Sequence, residues 1–349
     1  MRTTVPDYFD DFHCLADRCP DTCCGQWEIV VDPEAKARYL SVEGELGDRI
    51  RASLTVVNGE DCMVLENGHC PLLTKDGLCP IVQQLGEDFL STTCHTHPRF
   101  TEIYGGLQET MLSVSCPEAA RLLLTRQTPL TFLTRSDDTP PELTDLDPQL
   151  FQNLLAGRET AFSILQDRSR SLSDRLALLL CFSARLEDQL NHPSRVQRFC
   201  ECYRDPQYQN RILRRIRRLR LPGTRASMEP LRFLLLSMEH LGTEFAPLIA
   251  KMSYIRPEGT PLEQLTVYFI FRWWLKAACN GAIWRQTAAA VVSVVATAAM
   301  AASLGDIQEA ARLYSKEIEH SEENLALLRR AMELPHFSLR QLLGLLEVP

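Results

Sequence analysis

Several protein classes are excluded by what this chain lacks. Only 16 glycines and 20 prolines occur in 349 residues, so it is neither collagen-like nor dominated by loops. Positive charge is in deficit, with 37 Lys and Arg against 45 Asp and Glu. The net charge of −8 argues against a whole-surface nucleic-acid binder but leaves room for a local basic patch. No apolar stretch follows Met1-Arg2-Thr3-Thr4-Val5-Pro6-Asp7, so no secretory signal is read there and the expected location is the cytoplasm. No C-x2-C knuckle of structural zinc occurs, nor a Gly-rich strand–loop–helix of the nucleotide-binding kind.

Long membrane-like runs are scarce too. Between Arg285 and Asp306 there is no charge, which reaches the minimum for a spanning helix. Yet Thr287–Leu304 is nearly all Ala, Val, Ser, Thr and Met, without Leu, Ile or Phe until its last residue. Such a segment inserts weakly and reads as a buried helix of a bundle.

What the chain does have is cysteine. Nine of its 13 cysteines lie at or before Cys116: Cys14, Cys19, Cys23, Cys24, Cys62, Cys70, Cys79, Cys94 and Cys116. An odd total crowded into one third of a large chain favours metal ligation over a disulfide scaffold. The first four spell C-x4-C-x3-C-C and end in Gly25, where the backbone can turn tightly. Asp76-Gly77 predicts a hairpin turn that brings Cys70 towards Cys79. Thiolates suit zinc or an iron–sulfur cluster, and ligands drawn from several loops suit a cubane better than a single ion. Adjacent Cys23 and Cys24 are not expected to reach one cluster corner together. The candidate metal ligands are Cys14, Cys19, Cys23, Cys24, Cys70, Cys79, Cys94 and Cys116; zinc remains the alternative to iron–sulfur.

The pattern divides the chain into three. Residues 1–125 are a cysteine-rich, loop-rich metal domain with brief β-like runs, Trp27-Glu28-Ile29-Val30-Val31 and Met111-Leu112-Ser113-Val114. They also hold two capped helices, Asp32–Leu40 and Pro117–Leu124. Residues 126–150, rich in Thr, Asp and Pro, read as a linker. Residues 151–349 carry apolar residues at helical spacing (Leu172, Leu176, Leu179; Leu325, Leu328, Met332), punctuated by Pro193, Pro222, Pro247, Pro257 and Pro335. The fold class is therefore mainly α: the metal-binding N-terminal domain followed by an all-helical C-terminal domain.

These residues resemble a known family. Cys19-x3-Cys23-Cys24, Cys70-Pro71-Leu72 with Asp76-Gly77-Leu78-Cys79, and Cys94 with Pro98-Arg99 look like the zinc- or iron-chelating CxxxCC domain. Their context looks like the flagellin lysine-N-methylase (FliB) family of bacteria. It includes Phe12-His13-Cys14, Asp21-Thr22-Cys23-Cys24-Gly25-Gln26-Trp27, Leu90–Arg99, Leu112–Arg121 and Ser315–Leu325. The cysteine part is the specific part; the helical part is a looser likeness. The resemblance implies methylation of flagellin lysines, S-adenosylmethionine as donor and a cysteine-bound iron–sulfur cluster. The sequence itself supports a structural role for that cluster first, because the N-terminal domain otherwise reads as lacking a core. Cys19, Cys23 and Cys24 do not make the CxxxCxxC triad of radical-type enzymes, so a polar methyl transfer is expected. The runner-up is a non-catalytic zinc- or iron-binding or redox-sensing protein.

Other features have plainer readings. Arg211 to Arg220 lie in NRILRRIRRLR, a basic amphipathic helix with Ile212, Ile216 and Leu219 on one face. It is a solvated surface or a docking strip for an acidic protein such as flagellin; nucleic acid is disfavoured for want of interleaved aromatics. Tyr268–Trp274 reads as bundle core, and Cys200-Glu201-Cys202 as structural. His95 and His97 flank Cys94 as ligands, orienting groups or loop packing. His320, among Glu317, Glu319, Glu322 and Glu323, reads as part of a charged helix face.

Overall fold

A computed structural model describes residues 1–25, 27, 29–221 and 223–346; Gln26, Glu28 and Pro222, named above, lie outside the described residues. The N-terminal part alternates short strands and helices. In order these are β1 (Arg2–Pro6), β2 (Ile29–Val30), α1 (Pro33–Leu40), α2 (Gly44–Ala52), β3 (Leu54–Val57), β4 (Glu60–Met63) and α3 (Pro80–Leu85). They continue as α4 (Thr92–Thr96), β5 (Arg99–Tyr104), β6 (Leu107–Leu112), α5 (Pro117–Leu124) and β7 (Phe132–Ser136). The rest is helical: α6 (Pro148–Leu165), α7 (Leu172–Glu187), α8 (Pro193–Arg204), α9 (Pro206–Arg217), α10 (Thr224–Leu236) and α11 (Phe245–Lys251). The last five are α12 (Thr260–Trp273), α13 (Ile283–Leu304), α14 (Ile307–Glu319), α15 (Glu322–Ala331) and α16 (Leu339–Leu345). Helix makes up 57% of the chain, so the mainly-α expectation holds.

Two small sheets organise the N-terminal part. β1 is an inner strand of a four-stranded sheet, order β5-β6-β1-β7, parallel to β6 and antiparallel to β7. Strand β7 falls inside the segment read as a linker, and its register runs from Arg2 opposite Ser136 to Pro6 opposite Phe132. The second sheet, β2-β4-β3, is a small antiparallel layer.

Each sheet belongs to a different core. Leu107, Met111, Leu112 and Val114 are buried with Ala119, Leu123 and the helical section in one large apolar cluster. A separate cluster holds Trp27, Ile29, Val31, Ala35, Tyr39, Ile50, Met63, Cys70, Leu72 and Ile81. The stretch that contains Cys24 to Cys94 thus has an apolar core of ten buried residues. A buried ion pair ties sheet to bundle: Arg158 of α6 donates to both Glu109 carboxylate oxygens of β6, at 2.5 and 2.7 Å. Both side chains are 5% exposed, so losing either partner would strand a buried charge.

The uncharged segment 286–305 is the inner helix of the bundle. Ala288–Val292, Val294 and Val295 of α13 are fully buried, and the helix packs on α14, α12 and α7. Small side chains let those neighbours approach closely, and the hydroxyls of Ser293 and Thr297 are satisfied locally, whereas that of Thr287 is buried without a hydrogen-bond partner among the described residues. Ser293 Oγ lies 2.8 Å from Tyr314 Oη, and Thr297 donates to Ser293 O at 2.9 Å. Length and composition alone would let α13 cross a membrane, but 78% of its apolar window is buried inside the fold. Tyr268–Phe271, Trp273 and Trp274 are buried core as expected. Leu219 departs from expectation. It is 54% exposed because α9 ends at Arg217, before that residue can join Ile212, Leu213 and Ile216 on the buried face.

Candidate functional site

The cysteine loops are joined by backbone. Cys70 N donates to Cys24 O at 2.7 Å, and Gly25 bridges His69 beside it. A Cβ on Gly25 would stand 2.5 Å from Gly68 O, so this close approach requires glycine. The predicted Asp76-Gly77 turn is present, with Thr74 N donating to Leu78 O at 2.9 Å and Gly77 at φ +74. Helix α1 fixes the last segment: Tyr39 Oη accepts from Ser91 N at 2.9 Å, Asp32 accepts from Thr92 N at 2.6 Å, and Ser91 Oγ caps Cys94 N at 3.4 Å.

The result sorts the eight candidate ligands. Cys24, Cys70, Cys79 and Cys94 all pack in the small N-terminal core. Burial pushes the Cys70 thiol up to about 11 and Cys94 up to about 12. Negative charge on Cys24, Cys79 and Cys70 adds to the rise at Cys94, and Cys24 and Cys79 add to that at Cys70. A hydrogen bond from Cys23 holds Cys24 below its ordinary value. Cys14, Cys19 and Cys116 form a second neighbourhood: burial raises Cys19 and Cys116, and Cys14 adds to both. Cys23 is influenced by both groups, through Cys94 and Cys14.

Among the described residues no three His, Cys, Asp or Glu side chains converge at ion-coordinating distance. The donor chemistry still fits a metal. Four soft sulfur donors share one apolar cluster, and Cys70, Cys79 and Cys94 resist ionisation, chiefly because they are buried and further because neighbouring thiols crowd them. A cation is what would favour all four as thiolates. Cys62 is buried in β4, and Cys181 and Cys200 are buried in the bundle.

Behind the cysteines lies a seam against α14. The Trp27 ring stacks on His320, with His97 and Phe100 packed beside that imidazole. Asp21 accepts from Lys316 Nζ at 2.9 Å and also pairs with Arg312. The ammonium of Lys316 is 3% exposed and stands 5.5 Å from the Trp27 ring centroid. His320 Nε2 lies 2.8 Å from Ser115 Oγ and 3.3 Å from Ser113 Oγ. Burial pushes His320 down to about 3 and His97 down to about 4, so both rings are neutral here. Glu319 accepts from Tyr268 Oη at 2.7 Å and Ser315 Oγ at 2.6 Å, and it pairs with Arg272. Arg272 in turn lies 3.6 Å over the Phe100 ring. Glu317 accepts from Leu241 N and Gly242 N, both at 2.8 Å, and Leu241 packs on the small core that holds the cysteines.

His320 is thus not on a charged surface face. It closes α14 at its C-cap and is half-buried, covered by residues 200 or more positions earlier. The residues 112–121 and 315–325, singled out by resemblance, meet here with Asp21, Trp27 and His97. The helical section, residues 158–345, matches the FliB lysine N-methylase C-terminal domain.

The chain belongs to the FliB lysine N-methylase family.

For this FliB-family chain the match falls on the helices and includes Lys316 and His320, although the cysteine motifs looked the more specific part. A flagellar biosynthetic protein FliU of Salmonella muenchen is 30% identical over 131 residues, covering 36% of this chain and 78% of that protein. Lysine-N-methylases of Salmonella choleraesuis and Salmonella typhimurium are each 30% identical over 131 residues, again 36% of this chain. The chain spans 33% of the length of those two methylases. No solved structure matches it.

The FliB-family chain also has a cavity of about 460 Å³ lined by Arg256, Glu258, Leu262, Ala298, Ala301 and Ile307 among others. None of its lining residues belongs to the cysteine groups or the seam. Residue reasoning gave Asp21, Trp27, Arg312 and Lys316 no role. The available signal was the density of charge in Arg312–Glu319, unusual for a helix flanked by apolar segments, but nothing local names its partners.

Proposed function

We propose that this protein transfers methyl groups from S-adenosylmethionine to lysine side chains of flagellin, in the cytoplasm before export. Family membership through residues 158–345 carries this reading. The names of the relatives support it: lysine-N-methylase for two and flagellar biosynthetic protein for the third. Cys24, Cys70, Cys79 and Cys94 are the residues that would hold an iron–sulfur cluster, with zinc as the alternative. Such a centre would supply local folding energy and fix four thiolates.

With a sulfonium donor the methyl is already activated, so the protein's work is alignment and delivery of a neutral amine. A lysine amine ordinarily titrates near 10.4, so it must lose its proton before it attacks. Desolvation against apolar and aromatic walls lowers that cost. The seam holds the Cys23-Cys24 loop against α14 through Asp21 and Trp27, which keeps the two parts of the protein in one fixed relation.

The test is the intact mass of purified flagellin after anaerobic incubation with metal-loaded protein and S-adenosylmethionine. Methyl-sized steps that require the donor are the expected result. An unshifted mass with demonstrably metal-loaded protein would overturn the methylase reading in favour of a metal-binding or redox-sensing protein.

A further inference from the structure

The charge of this chain is unevenly placed. Residues 193–220 carry nine arginines against Glu201 and Asp205, a local +7 in a chain of net −8. The rest of the chain therefore carries −15. Helices α8 and α9 hold this segment, packed on each other and joined at Asp205.

Helix α9 is anchored by Ile212, Leu213 and Ile216, all buried. Arg211, Arg214, Arg215 and Arg218 recur at i, i+3, i+4 and i+7, so they line one side of the helix and its last turn. All four are exposed. Among the described residues, none of these four pairs with an acid. Arg211 lies 5.4 Å over the Tyr208 ring and Arg214 donates to Asn210 O at 3.3 Å, whereas Arg217 on the flank is paired with Asp174 at 3.1 Å. Like charges at this spacing repel, so the row is an unneutralised feature.

We propose that the Arg211–Arg214–Arg215–Arg218 face docks an acidic segment of a polypeptide, identified, on the function proposed above, with the protein substrate. Guanidinium forks bind carboxylates in a bidentate way, and α9, 12 residues and about 18 Å long, matches a short acidic helix or loop. Two observations favour a polypeptide over nucleic acid. The face presents no free aromatic for base stacking: Tyr203 is buried, and Tyr208 is half-buried beneath Arg211. A long polyanion would also run off the row onto a chain whose remainder carries −15, whereas a short acidic segment ends within it.

The deciding measurement is fluorescence polarisation of a labelled glutamate-rich peptide, which needs no turnover. Wild-type protein should bind it with an affinity that falls as salt rises. The quadruple charge reversal to Glu should weaken binding about tenfold or more, as should the milder Arg→Gln quadruple. The Arg→Lys quadruple should keep much of the salt-dependent affinity. Circular dichroism checks that each variant is folded. Equal binding by wild type and a folded Gln variant overturns the proposal. Tighter, Arg-dependent binding of a nucleic-acid duplex of equal charge also overturns it. With flagellin as substrate, the Gln variant should raise KM about tenfold. If no flagellin is methylated at all, the proposed function fails, and the peptide measurement alone still decides the surface.

Discussion

Trp27 and His320 stack with ring centroids 4.3 Å apart and planes 16° from parallel, joining the loop after Cys24 to the end of α14. Trp27 is 8% exposed and belongs to the small core as well as to the seam. Truncation removes both contacts at once. Trp27→Ala should cost about 3 kcal/mol or more, and Trp27→Phe markedly less. Urea unfolding measures the loss, and hydrogen exchange over residues 9–30 should rise. A Trp27→Ala protein with wild-type stability and exchange would show that the stack does not hold the seam.

Asp21 and Lys316 form an asymmetric pair. Lys316 is 3% exposed, and Asp21 is its ion-pair partner, whereas Asp21 also has Arg312. Asp21→Asn therefore leaves a buried ammonium uncompensated, while Lys316→Met leaves a carboxylate that is still paired. Asp21→Asn should be the costlier, at roughly 3 kcal/mol, and adding Lys316→Met should recover part of that loss. Chemical denaturation of both singles and the double decides it. Equal costs for the two singles would contradict the burial argument.

This asymmetry shows where sequence reading stops. Helices α1 and α5 were legible at Asp32–Leu40 and Pro117–Leu124 because their signals are local: an Asp cap at one, and proline in the first turn of both. The Cys70–Cys79 turn was legible from Asp76-Gly77, and α13 from its alanines. Strand β1 carries no comparable signal, since its partners begin at Leu107 and Phe132. His320 looked like a surface residue because acids surround it in sequence. Its burial comes from Trp27, His97 and Ser115, more than 200 residues away. The core of residues 24–94 was missed for a related reason: its ten buried residues are scattered over short elements with no shared period.

The seam histidines give a pH dependence with a definite sign. Burial holds His97 near 4 and His320 near 3, against an ordinary value of 6.5. Below pH 6.5 the unfolded chain takes up protons that the folded rings refuse, so stability is lost as pH falls from about 6.5 towards 4. The slope is up to about 1.4 kcal/mol per pH unit for each ring. Urea midpoints between pH 7 and 5 should fall in wild type and flatten in the His97→Asn/His320→Asn double variant. The readout is the slope, because the double variant also loses packing. An unchanged slope would mean that these rings are not the buried neutral groups described.

The division of the cysteines makes the sharpest prediction about metal. Cys24, Cys70, Cys79 and Cys94 share the small core, while Cys14, Cys19 and Cys116 form another neighbourhood. If the first four hold the centre, serine at any one of them removes a donor, and each change is made with and without Cys23→Ser, because the Cys23 thiol hydrogen-bonds Cys24 and acts on Cys94. Bound iron, sulfide or zinc after anaerobic reconstitution should then fall roughly tenfold or more. The same change at Cys62, Cys181 or Cys200 should leave metal content intact. Serine at Cys14, Cys19 or Cys116 separates the remaining possibilities: retained metal means one centre in the small core, and a partial, stoichiometric loss means a second. Elemental analysis with a sulfide assay reads all of these. Full metal content in all four core variants would refute the ligand assignment, because nothing else in that core offers four thiolates.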